Sequence, residues 1–248
     1  KMEEKIKKLF STIPAIKNPE PRPFFEVPEH DETYFCVATD KEATQSNVTL
    51  IRFWKDDEPT GKMTYKEIKD GLIQSFYNTM IANRISEMIQ KGKAPFMSAS
   101  IGKGGFVKGY AAYSLSAVAK PNQEKEALTA ILQENERILQ HGFTDSELER
   151  AKTNLMTSLK SALKDIEKTP NDAYIEDMQS HFLEKSAIFR FEDYFKAVEE
   201  IMPTITAKEV SDKAKEWWKD NNRVILVNGP SEGVTHLTEQ EAKSIVTE

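Results

Sequence analysis

The 248-residue sequence predicts an α+β fold, a mostly antiparallel sheet with helices packed on one face. Two observations carry that expectation. The strand-like and helix-like segments come in blocks, β-β-α-β-β, then a run of helices, then a last strand, whereas a doubly wound parallel fold needs the two to alternate. The helices are also announced by Thr-x-x-Glu capping boxes at Thr64, Thr144 and Thr206, in which Thr accepts from an orphan amide and Glu reaches back.

In chain order, Met2, Ile6, Leu9, Phe10 and Ile13 recur at helical spacing until Pro14 stops the pattern. Pro19, Pro21, Pro23 and Pro28 bias the next stretch to an extended linker or strap. Thr33 to Thr39 and Asn47 to Trp54 read as strands, with a turn from Asp56 to Gly61 after the second. From Thr64, a stripe of Ile68, Leu72, Phe76, Met80, Ile81, Ile85, Met88 and Ile89 makes a long amphipathic helix ending near Gly92. Residues 95 to 101 and 106 to 119 read as strands joined by a turn at Gly102-Lys103-Gly104-Gly105. Ala127, Leu128, Ile131, Leu132, Ile138 and Leu139 form one helix face, ended by Gly142. The helix capped at Thr144 runs through Ile166, and Pro170 breaks it. Helices around 174–183 and 191–201 follow, then the one capped at Thr206. Arg223 to Val227 is a compact strand stopped by Asn228-Gly229-Pro230, and a short helix starts near Thr238.

The net charge of −6 argues against a nucleic-acid interface, which needs a concentrated basic face. No stretch approaches the ~18 apolar residues of a membrane span. The single cysteine, Cys36, excludes an internal disulfide and a thiolate zinc cluster, and its apolar neighbours suggest a small buried hydrophobe. A chain that starts at Lys1 and opens directly on a helix reads as a piece of a longer protein.

Hydrolytic zinc needs about three protein ligands and an open position. The histidines, His30, His141, His181 and His236, show no i, i+4 pairing, and neither H-E-x-x-H nor H-x-x-E-H occurs. No G-x-S-x-G elbow is present. The glycine-rich stretch lacks the spacing of a phosphate loop. Glu134 and Arg137, three apart on a helix, suit a local ion pair. The residues thus give no catalytic, metal or cofactor site in this chain.

Several segments resemble the insulinase/pitrilysin-like zinc metallopeptidases, and their order matches as well: Ile6 to Pro14 followed by Pro19-Glu20-Pro21-Arg22-Pro23, then Ala38 to Thr44, then Glu134 to Arg137 with His141 to Thr144 and Glu147 to Lys152, and finally Asn222 to Pro230. The bacterial branch is the most similar. The resemblance implies a processing-peptidase-like metallohydrolase fold and the non-catalytic second domain of a half, inactive alone because it lacks H-x-x-E-H. It implies residues 1–14 as a remnant helix of the catalytic domain, 15–31 as linker, 32–230 as the non-catalytic domain, and 231–248 as linker towards a following half. Zinc would sit in the upstream domain of the parent. The implied partners are that domain, the other half of the clamshell and a peptide substrate, in a bacterial periplasm or cell envelope. Arg84 and Phe96 occupy the positions at which the family's Arg and Tyr reach substrate in a related domain, although Phe96 lacks the hydroxyl. A degenerate, zinc-less relative serving as scaffold or peptide-binding subunit is the alternative.

Overall fold

A computed structural model describes residues 1–21, 23–57 and 59–247. Arg22 of the proline-rich segment, Glu58 of the expected turn and Glu248 lie outside the described residues. The strands are β1 (Tyr34–Asp40), β2 (Ser46–Lys55), β3 (Phe96–Val107), β4 (Tyr110–Ala119) and β5 (Arg223–Pro230). The helices are α1 (Met2–Phe10), α2 (Tyr65–Gln90), α3 (Glu124–His141), α4 (Asp145–Lys164), α5 (Asn171–Glu184), α6 (Phe191–Ile201), α7 (Ala207–Trp217) and α8 (Glu239–Thr247). The sheet order is β1-β5-β2-β4-β3, antiparallel throughout except for the parallel pair β1 and β5.

Alternation along the strands sorts residues to two faces. On β2, Val48 and Leu50 enter the main core with Tyr113, Leu115 and Ala117 of β4 and Ile225 and Val227 of β5. Helices α2, α3, α4, α6, α7 and α8 supply the other half of that core. On the opposite face, Phe53, Tyr110 and Ala112 form a small cluster covered by Val27 of the proline-rich strap. The strap is held there by a hydrogen bond from the Val27 amide to the Tyr110 hydroxyl (2.9 Å) and by Phe24 stacked on Tyr110. One face is therefore helix-covered, as expected, and the other is crossed by an extended segment at one end.

All three expected capping boxes form, with both reciprocal hydrogen bonds present at Thr64, Thr144 and Thr206. Helix α2 is the central core element. It buries Ile68, Leu72, Ile73, Phe76, Tyr77, Met80, Ile81 and Ile85, each worth roughly 1.5–3 kcal/mol of transfer free energy.

Three expectations are corrected. Gly102 to Gly105 is not a turn: these residues lie within β3, paired across to Ser114 through Ala111. The turn is Lys108-Gly109, where Gly109 takes φ +81° in the left-handed region. Cys36 is exposed, because β1 lies at the sheet edge and only Phe35 of its apolar run packs on the core. Strand β5 does not stop at Val227 but pairs through Pro230, since Asn228-Gly229-Pro230 continue the ladder beside β1.

Candidate functional site

The four histidines are held separately. His30 stacks on Tyr34, and its Nδ1 lies 2.6 Å from the Glu32 carbonyl. His141 is exposed in the last turn of α3, where a cation complements the helix dipole. His181 on α5 faces the Ser186 carbonyl at 2.6 Å. His236 contacts Glu124. Among the described residues, no three His, Cys, Asp or Glu side chains come together in a way that could hold a metal ion.

Arg84 and Phe96 both sit on core elements. Phe96, at the start of β3, is 1% exposed. Arg84, on α2, is fully engaged by its own chain. Its Nε and Nη2 donate to the two oxygens of Glu147 (2.6 and 2.9 Å), Nη2 also donates to the Gly142 carbonyl (3.0 Å), and Nη1 reaches Glu134 at 3.4 Å. The guanidinium lies 4.8 Å from the centre of the Phe143 ring. Glu147 is at once the capping-box acid of α4 and the partner of Arg84. Burial alone would raise its pKa, but Arg84 and the Thr144 amide and hydroxyl outweigh that and hold it down at about 2. Glu134, 2% exposed, also accepts from Arg137 (2.9 Å), so the local pair expected from the sequence exists inside a larger node.

A second buried network joins α2, β4 and α3. The Tyr77 and Tyr113 hydroxyls are 2.5 Å apart, and Tyr113 donates to Asn135 Oδ1 at 2.7 Å. The rings of Phe143 and Trp217 pack edge-on against Tyr77. Burial pushes the Tyr77 hydroxyl up to about 12 and Tyr113 in the same direction, so neither phenol exchanges a proton near neutrality. Nearby, Arg52 and Arg223 are cross-strand neighbours on β2 and β5, each 6% exposed. Their guanidiniums lie over Trp54 and Trp218, and Arg52 donates to the Trp217 carbonyl at the end of α7. Two arginines inside otherwise apolar strands were the sequence signal for this cluster. Arg52 finds its hydrogen-bond partners far along the chain, at the Trp217 carbonyl and Asn221, whereas Arg223 pairs with Asp220 three residues before it.

The surface carries unpartnered apolar faces. Helix α1 buries none of its residues and exposes Met2, Ile6, Leu9 and Phe10. Helix α5 likewise buries none and exposes Tyr174, Ile175, Met178 and Phe182. Beside α5, Ile166, Met178, Ile188, Phe189 and Phe191 line a trough.

Residues 1–155 match the family described as the peptidase M16 inactive domain. The chain belongs to that family. The chain is 23% identical over 207 residues to a zinc protease PQQL-like protein of Arabidopsis thaliana, a match covering 83% of this chain and 18% of the plant protein. Among solved structures, the first half of the periplasmic protease PqqL from Escherichia coli superposes with a TM-score of 0.85 at 18% identity. That match covers 100% of this chain and 53% of the PqqL half. A predicted insulinase family protease from Yersinia pestis gives 0.82 at 11% identity over 99% of this chain and 52% of its own. At such identities the structures show a shared fold. The chain spans about half of each of these two solved chains and a smaller share of the plant protein.

Proposed function

We propose that this M16 inactive domain is the non-catalytic supporting domain of a zinc metalloendopeptidase, packing on the catalytic domain and walling the peptide-binding chamber. The observation that carries the reading is α1, an amphipathic helix at the start of the family-matched residues 1–155, whose apolar residues Met2, Ile6, Leu9 and Phe10 are open to water. A helix of this length is marginal in water unless that face is covered. The catalytic domain of the same parent is the natural cover. Zinc would be held there and would activate water there. In this reading Arg84 and Phe96 serve the packing of the domain, and substrate is met by other surfaces. The periplasm, where PqqL works, is the proposed compartment.

The test is to purify the chain, dialyse it against metal-free buffer and measure zinc, then add the parent's catalytic domain and assay peptide cleavage. Negligible zinc in the chain, with cleavage raised by mixing, is the expected result. One tightly held zinc per chain, or cleavage indifferent to this domain, would overturn the proposal.

A further inference from the structure

We infer that His236 is a proton-dependent latch fixing the C-terminal segment, residues 231–247, to the sheet and to α3. The ring has an acceptor at each nitrogen. Nδ1 lies 2.8 Å from Glu124 Oε1, and Nε2 lies 2.8 Å from the Pro230 carbonyl. A neutral imidazole carries one N–H and can satisfy only one of them, whereas an imidazolium donates to both. The second Glu124 oxygen accepts the Leu237 amide at 2.8 Å, so one carboxylate, 3% exposed, holds two consecutive residues of the segment.

The surroundings contain the groups such a latch needs. Glu124 is the first residue of α3 and is buried. The ring lies against Gly229 of β5, beside Ser46 of β2. From α8, Glu241 faces Lys125 of α3 at 3.8 Å and also closes the cap at Thr238, so these two charges answer each other. The only charge placed against the ring among the described residues is Glu124. Leu237 and Ala242, 4% and 0% exposed, follow the latch into the main core.

Burial lowers the His236 pKa, but the hydrogen bonds to Pro230 and Glu124 outweigh it and the net direction is upward. The contribution is therefore complete below the ordinary histidine value and is lost as pH rises through the raised one. Above that point one of the two acceptors, the Glu124 carboxylate or the Pro230 carbonyl, faces a ring nitrogen without a proton. This inference stands apart from the proposed peptidase role, since it concerns how one segment is held in the isolated chain.

Nitrogen-resolved NMR of the His236 ring, with amide hydrogen exchange of residues 237–247, tests it on the 248-residue chain. The expected result is two ring N–H groups at pH 6. After correction for intrinsic rates, protection in α8 should fall about tenfold relative to α7 between pH 6 and pH 9, the loss of one charge-assisted hydrogen bond. Glu124→Gln should move the ring titration to lower pH, and His236→Gln should make α8 protection independent of pH. A ring with a single N–H at pH 6, or wild-type α8 protection unchanged across that range, would overturn the latch.

Discussion

The guanidinium of Arg84 meets the end of α3 through Gly142 and the start of α4 through Glu147, and so anchors α2 to both. Removing it leaves Glu147 without a countercharge and Glu134 with Arg137 alone, in a mostly dry setting. Arg84→Ala should cost about 3 kcal/mol, read from the denaturant midpoint, and a change under about 1 kcal/mol would show the node to be dispensable. The pH dependence has a definite sign. The folded value of Glu147 lies below its unfolded one, so its contribution is complete above the ordinary glutamate range and disappears as pH falls towards about 2. Glu147→Gln should flatten the loss of stability between pH 5 and pH 2.5, which urea titrations at the two ends would show. The sequence marked Arg84 only through the family resemblance, as a residue facing substrate. It could not show that Glu147, already engaged in a local cap, has a second oxygen aimed at α2, because that depends on how α3 turns at Gly142.

Local chemistry fixed the helices more reliably than the strands. The capping boxes act over four residues, so sequence alone located the starts of α2, α4 and α7. Each Thr→Ala substitution at Thr64, Thr144 or Thr206 should cost about 1 kcal/mol, measured the same way. The glycine-rich part of β3 misled because its reason is tertiary. Asn78 of α2 places its carboxamide against the strand, donating to the Lys103 carbonyl (2.9 Å) and accepting from the Lys103 amide (3.2 Å). A Cβ on Gly102 would strike that carboxamide, while one on Gly104 would meet nothing. Gly102→Ala should therefore destabilise by about 1–3 kcal/mol, and Gly104→Ala should stay within about 0.5 kcal/mol. Equal effects in thermal unfolding would refute that account. The exposure of Cys36 has a similar origin: an apolar run reveals a strand but not whether that strand lies at the sheet edge.

At the scale of the molecule, one sheet face is filled by helices and the other is crossed by a strap, while among the described residues α1 and α5 keep exposed apolar faces. Replacing Leu9 and Phe10 together by Lys should leave the unfolding midpoint of the chain nearly unchanged, because neither is buried here. The same change should weaken association with the parent's catalytic domain at least tenfold, by calorimetry, if α1 is the docking element. Retained affinity would point to another surface. The sheet order has a further consequence, for synthesis on the ribosome. Strand β5, close to the end of the chain, lies between β1 and β2, which are made early. Until it emerges, β1 has no neighbour and β2 is open along one side. The nascent domain must wait with two apolar strand edges exposed, and it completes its sheet only by inserting a late strand between early ones. Translation that stalls before residue 223 should thus release a species prone to stick to others like it.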